Sequence, residues 1–369
     1  MKDPSEDRGI HLGLYFRLAL FAAISAGFYA LYSSKIDPVD NEFFNLYAGA
    51  KIGPRNLYDP HAFAQVAASL HAKVLEARFY YTRMPYFAIL TRPLGWLSLP
   101  VGLAFWRTVQ ALAIAVSVWL WPGAKSTMAS VALVSLPAIW VVSFAQDVGL
   151  VLFFVAASVA LEKRNRPFLA GVVFSLCLGK PHLVIFVPLV MLVRRDFRFL
   201  AGATLGALSQ ILLSFAVAPA TWPYQWLSVL ANPQMHPYVN DMPGLRALTQ
   251  TTPGVVLAVL IAISLAVAVW RSAALEAVEK AVAIAMAAGI VANLHSYAVD
   301  CILLIPAITI ALASRRFLER ALGLFLATPI PFLAMLAGHT IFLQTGLVVL
   351  VHLHASWARL RAVRGLATG

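Results

Sequence analysis

The chain is poor in charge, poor in cysteine, and empty of the short motifs that mark many soluble enzymes. Asp, Glu, Lys and Arg supply only 12% of its 369 residues, and 16 of these are acidic. Soluble domains carry roughly 25% charged residues, so a mainly water-facing surface is excluded. The two cysteines, Cys177 and Cys301, both lie in apolar runs, and neither a disulfide framework nor a zinc spacing follows from them. There is no P-loop, no GxGxxG turn, no HExxH and no GxSxG. The commonest nucleotide-binding, metalloprotease and serine-hydrolase readings fall with those motifs. His352 and His354 stand two apart on a predicted helix and point to different faces, a poor metal pair, so they read as interfacial histidines. No metal site and no cofactor is expected. No internal repeat is visible, which disfavours a transporter built from inverted halves.

What is there is apolar surface. Hydrophobic residues make up 61% of the chain and mean hydropathy is +0.80, the range of polytopic membrane proteins. The net charge of +12 does not point to nucleic acid. Its basic residues cluster between apolar runs, at Lys163/Arg164/Arg166, Arg194/Arg195/Arg198, Arg315/Arg316/Arg320 and Arg359/Arg361/Arg364. That is the pattern of cytoplasmic loops under the positive-inside rule.

The first run, Gly13 to Tyr32, follows a short polar tail with Lys2, Arg8 and His11 and reads as an uncleaved anchor. It predicts a first outer loop over about 34–100, with a helix from His61 to Ala77 capped by Asp59-Pro60 and lying on the membrane. Met84 to Leu99 is expected to dip into the interface without crossing, because only then do Lys125 and every later basic cluster fall inside. Spans follow at about 101–121, 126–144 and 148–161. The run Pro167 to Val193 has basic clusters on both flanks, so it crosses an even number of times. Two helices of about thirteen residues each reach only about 20 Å, with Lys180-Pro181-His182 at the tip of the hairpin. A span at about 199–217, a second outer loop over about 218–254, and spans at about 255–270, 281–297, 299–313, 320–337 and 340–356 complete an all-α bundle of about twelve transmembrane helices. It forms a single domain over 1–369, with both termini inside.

Candidate chemistry gathers on the outer side. Asp37, Asp40 and Glu42 lie just beyond the first span, and a carboxylate at a semi-enclosed interface can serve as a general base toward a hydroxyl. They can equally be solvated loop acids. Lys180 is the only charge in an apolar stretch of more than twenty residues. An intramembrane lysine is a functional candidate that suits a lipid-carrier phosphate, or else it is a structural partner of a carbonyl or carboxylate. Arg83 and Arg92 break the positive-inside pattern and can also meet phosphate, whereas Arg107, inside a span, stays unassigned. Gln146, Asp147, Asn293, His295 and Asp300 all fall at outer helix ends, which suggests a shared pocket or a set of helix caps. Trp222, Tyr224, Trp226, His236, Tyr238 and Asn240 enrich the second outer loop, with Trp222, Tyr224 and Trp226 as an acceptor-side lining or as interfacial belt residues.

The order of these features resembles a known family. Asp40 and Tyr47, then Gly53-Pro54-Arg55-Asn56-Leu57-Tyr58-Asp59, look like the first outer loop of glycosyltransferase family 87. Phe79-Tyr80-Tyr81-Thr82-Arg83-Met84-Pro85 followed by Arg92-Pro93-Leu94 resembles its aromatic–proline segment. Ala145-Gln146 stands where a Gly-Gln pair is usual, and Leu178-Gly179-Lys180-Pro181 matches the lysine–proline step. The resemblance covers roughly residues 10–310. Met84-Pro85 stands for the usual Pro-Pro, and Ala145 for Gly.

The resemblance implies a GT-C fold and an inverting transfer of a hexose, probably mannose in that family, from a polyprenyl-phosphate sugar. The acceptor is a lipid or glycan on the non-cytoplasmic face of a bacterial inner membrane. It implies Asp40 as the base and Lys180 as a donor-phosphate contact, with Arg83 and His182 beside it. The substrate-binding residues expected are Glu42, Tyr47, Tyr81, Gln146, Asp147, Trp222, Tyr224, Asn240 and His295. The leaving phosphate monoester needs no metal. The rival class is a transporter or flippase for a lipid-linked or anionic solute, which would require polar gates on both faces. A further alternative is a non-catalytic scaffold subunit, for which no acid–lysine pair is needed.

Overall fold

A computed structural model describes residues 42–70, 81–232, 239 and 242–367, excluding the side chains of Glu42 and of residues 359–367. The anchor at Gly13–Tyr32, the second half of the helix expected over His61–Ala77, and the candidates Asp40 and Asn240 lie outside the described residues. Every described regular element is helical. Four helices are long and apolar enough to cross a membrane: Leu99–Leu120, Phe197–Val217, Thr252–Leu275 and Ile341–Ala358. Two broken pairs raise the number to six if each is one span, Lys125–Val134 with Leu136–Ser143 (bent by 64°) and Phe317–Ala327 with Ile330–Leu336 (bent by 53°). Proline accounts for both breaks, since Pro137, Pro329 and Pro331 sit at the junctions and cannot donate to the preceding turn.

The loop-one module comes first. Helix α1, Glu42–Ile52, and α2, Pro60–Ser69, pack with α3, Pro85–Leu90, around Phe43, Phe44, Tyr47, Leu57, Tyr81 and Tyr86. Asp59 caps α2, its carboxylate accepting from the His61 amide at 2.9 Å, as the Asp-Pro step predicts. Arg92 donates to the carbonyls of Ala50 (2.9 Å) and Lys51 (3.2 Å) and so closes the C-terminal end of α1. Residues 85–96 form a short α-helix and a 3-10 turn instead of a spanning helix, consistent with the expected dip.

The bundle follows, with α4 Leu99–Leu120, α5 Lys125–Val134, α6 Leu136–Ser143 and α7 Val148–Lys163. The run Pro167–Val193 divides as its flanking charges predict. Helix α8, Pro167–Ser175, and α9, Val187–Val193, are joined by two 3-10 turns that meet at Lys180. Helix α10, Phe197–Val217, lies against α8 with backbone-to-backbone closeness. A Cβ on Gly171 would fall 2.0 Å from the Phe199 carbonyl oxygen, and one on Gly202 the same distance from that of Phe168. Small residues at such a crossing let two helices approach where lipid supplies no hydrophobic drive. Helices α11 Trp222–Ala231, α12 Thr252–Leu275, α13 Val278–Ala292, α14 Ile305–Leu312, α15 Phe317–Ala327, α16 Ile330–Leu336 and α17 Ile341–Ala367 complete the described chain. Helix α13 is its most enclosed element, buried from Val278 to Val291 except at Glu279 and Lys280. By contrast α10 and α12 leave most of their apolar surface exposed, as lipid-facing helices do.

The basic turns share one contact network. Lys163 pairs with Glu279 (3.4 Å), and Arg194 donates to the Ala273 and Glu276 carbonyls (3.2 and 2.9 Å). Arg316 binds Glu319 at 3.0 Å. His354 differs from the expected interfacial residue. It is buried, with Glu276 on one side and Glu319 on the other, each at 3.8 Å. Its neighbour His352 bonds its own helix at the Val348 carbonyl.

Candidate active site

At the other end of α7, a chain of opposite charges crosses the protein. Arg83 meets Asp147 through two bonds, Nε to Oδ2 at 2.7 Å and Nη2 to Oδ1 at 3.0 Å. Lys180 Nζ lies 3.1 Å from Asp147 Oδ1 and 3.4 Å from Asp300 Oδ1. The second Asp300 oxygen accepts from the Tyr297 amide at 2.8 Å. All four charged side chains are at most 14% exposed. An ion taken from water at such depth costs several kcal/mol unless paired and hydrogen-bonded. Among the described residues, two cations face two carboxylates. Burial pushes the Asp147 carboxyl up, but Arg83 and Lys180 outweigh it and hold it well below the usual carboxylate range. Asp147 is therefore ionised at neutral pH.

Each member is placed by a local device. Helix α6 ends at Ser143 in a Schellman turn: Gln146 N–H bonds the Val141 carbonyl (2.9 Å) and Ala145 N–H that of Val142 (3.3 Å). The turn puts Ala145 at φ +52°, the left-handed position that glycine favours. It also delivers Gln146 and Asp147 into the cluster. Arg107 donates twice to the Ser143 carbonyl (3.1 and 2.6 Å), setting a cation at the negative end of α6. Lys180 interrupts its apolar run between two 3-10 turns. Asp300 caps the 3-10 turn Ala298–Leu304, which leads into α14.

Arg83 is held by its backbone. Tyr58 donates its hydroxyl to the Arg83 carbonyl at 2.7 Å, and Trp226 on α11 donates its indole N–H to the Thr82 carbonyl at 3.0 Å. Burial pushes the Tyr58 phenol far up, so it remains a donor. The Arg83 guanidinium also reaches the Thr82 hydroxyl. Tyr81 is wholly buried, and its ring lies so near Gly49 that a Cβ there would sit 2.4 Å from it.

Aromatic and amide groups border the charges. The His182 ring lies 5.8 Å from that of His295, which lies 5.2 Å from Tyr297. Gln146 Oε1 and Asn293 Nδ2 are buried without a hydrogen-bond partner among the described residues. The Asn293 carbonyl accepts from Leu245 N–H at 3.1 Å, and a Cβ on Gly244 would fall 2.0 Å from its oxygen, so only glycine fits there.

Of the expected site residues, Arg83, Asp147 and Lys180 touch, and Tyr81, Gln146, His182 and His295 stand around them. Others lie apart. Tyr47 belongs to the loop-one core, its hydroxyl bonding the Leu97 carbonyl at 2.8 Å. Trp222 is buried between Phe215 and Trp226, while Tyr224 is 78% exposed. The Glu42 side chain, Asp40 and Asn240 lie outside the described residues. The bonds of Tyr58 and Trp226 to the Arg83 segment were not legible in the sequence, although Tyr58 lies in the Gly53–Asp59 motif. Tyr297 was not singled out; its only signal was its position between His295 and Asp300.

No curated protein and no solved structure matches the chain. A family model does: glycosyltransferase family 87 matches residues 81–299, more than half the chain and every member of the charge network but Asp300. The chain belongs to glycosyltransferase family 87, and is a membrane glycosyltransferase.

Proposed function

We propose that this protein transfers a hexose, mannose in the first instance, from a polyprenyl-phosphate donor to a lipid or glycan acceptor on the non-cytoplasmic face, with inversion. The GT-C-like bundle has about twelve crossings, including those formed by its short and broken helices. The observation that carries this reading is the buried network Arg83–Asp147–Lys180–Asp300 beside His182 and His295. Two adjacent cations in a water-poor site suit a phosphate whose charge grows as its bond to sugar breaks. The placement of the basic turns in a separate network at the far end of α7 supports an outer-facing site.

The chemistry balances with the residues assigned. The acceptor hydroxyl gives its proton to the Asp40 carboxylate as its oxygen bonds the anomeric carbon. The bond from that carbon to the phosphate oxygen breaks, and polyprenyl monophosphate leaves with the electron pair. Arg83 and Lys180 take up the added charge. They are already matched by Asp147 and Asp300, so donor phosphate competes with Asp147 for them.

The test is incubation of membranes containing the protein with labelled polyprenyl-phosphate mannose, followed by mass spectrometry of lipids and glycans. A new mannosylated product is expected, and Asp40→Asn should lower its formation by about 10²-fold or more. Absence of transfer from mannose and from other polyprenyl-phosphate hexoses would sink the donor class. Near-normal turnover in folded Asp40→Asn protein would refute the base.

A further inference from the structure

The segment Tyr81–Arg83 carries no regular hydrogen-bond ladder, yet it presents the guanidinium to Asp147 at one end of the charge network. Two consecutive carbonyls in it are bound from opposite parts of the chain. Trp226, from the second polar loop, holds the Thr82 oxygen at 3.0 Å, and Tyr58, from the first, holds the Arg83 oxygen at 2.7 Å. Both bonds end on backbone carbonyls, not on a charged group of the network. Trp226 is itself fixed on the bundle side, its ring 6.3 Å from buried Trp222, which packs 5.4 Å from Phe215 at the end of α10. Tyr58 is fixed on the other side, its ring edge-on to buried Tyr81 at 6.4 Å.

We propose that Trp226, with Tyr58 as its counterpart, is a positioning residue for Arg83, so that the second polar loop sets the geometry of donor-phosphate binding without touching the phosphate. This rests on Arg83 as the donor-phosphate contact. The physical basis is the fork. A planar guanidinium rewards correct direction, since its donors must meet two oxygens at once. A peptide segment free to rotate spreads that direction over many orientations. Two bonds on adjacent carbonyls remove both the hinge before Arg83 and the hinge after it. The loop holding Trp226 then does more than line an acceptor path.

A double-mutant cycle tests it, read as the affinity of purified protein in lipid nanodiscs for a labelled polyprenyl monophosphate. Trp226→Phe keeps the ring packing and removes the N–H. It should weaken binding by about fivefold to tenfold, with little change in melting temperature. Arg83→Gln should weaken it more. In the Arg83→Gln background, Trp226→Phe should then cost less than about twofold, because no fork remains to aim. Tyr58→Phe should show the same coupling through an independent bond. Where Arg83→Gln does not yield folded protein, Arg83→Lys serves as the background.

Equal losses from Trp226→Phe with and without Arg83 would overturn the proposal and make the indole a general support of the fold. Loss in Arg83→Gln with none in Trp226→Phe and Tyr58→Phe would overturn the positioning role and leave the donor contact standing. Unchanged binding in Arg83→Gln would overturn both at once.

Discussion

At the residue scale, Lys180 changes meaning most. With no acid near it in sequence, it invites a donor phosphate as the missing partner. The fold supplies Asp147 at 3.1 Å and Asp300 at 3.4 Å, from positions 33 residues before and 120 residues after it. The lysine is thus ion-paired within the fold and adjacent to the candidate chemistry. Removing it takes the cation from buried Asp300 and leaves Asp147 to Arg83 alone, and breaking a buried pair costs about 3–5 kcal/mol. Lys180→Met is therefore expected to lower the melting temperature as well as transfer, and loss of activity in that variant alone would prove little. Lys180→Met combined with Asp300→Asn removes one cation and one anion together. We expect this pair to melt closer to wild type than Lys180→Met while transfer stays at least about 10²-fold down. Calorimetry beside initial rates on labelled donor reads both quantities. Recovery of transfer together with stability would assign Lys180 a purely structural role.

At the element scale, one turn repeats. Helices α6, α7 and α9 each end in the same bond pair, the sixth residue back to the first and the fifth to the second, with Ala145, Asn165 and Arg195 in the left-handed position at φ +52°, +57° and +58°. Asparagine tolerates that region, whereas alanine is penalised by about 1–2 kcal/mol. The glycine usual in the family at position 145 has a physical reason here, since this turn swings Gln146 and Asp147 off the helix axis. Ala145→Gly should raise the melting temperature through relief of that strain, on the order of 1 kcal/mol, with donor affinity unchanged. A thermal melt in detergent reads it directly. A lower melting temperature would mean that added freedom of the unfolded chain outweighs the strain.

At the scale of the whole molecule, two polar networks are separated by helix α7. Its 16 residues rise about 24 Å, short of a typical hydrocarbon core of about 30 Å. Arg83, Asp147, Lys180 and Asp300 occupy one end, and Lys163, Arg194, Arg316 and His354 meet their partners at the other. This separation predicts opposite sides of the membrane. With Tyr224→Cys and Arg164→Cys introduced singly, an impermeant maleimide added to intact cells should label the first. The second should react only after permeabilisation. Labelling of Arg164→Cys in intact cells would invert the map and remove the site from the outer face.

Sequence alone determined what depends on composition and local order. Apolar runs imposed helices in lipid, because each buried peptide group must find its partner within the chain. The charge clusters divided Pro167–Val193 into two half-length helices, and Asp59-Pro60 set a cap. The motifs were local as well, so family membership was legible from Tyr81–Pro85 through Leu178–Pro181. Tertiary structure decided which distant groups meet. Asp300 reaches Lys180, Trp226 reaches Thr82, and His354 turns inward between Glu276 and Glu319. None of these follows from spacing, because each pairing is imposed by helix packing and by the cost of leaving a buried charge or carbonyl without a partner.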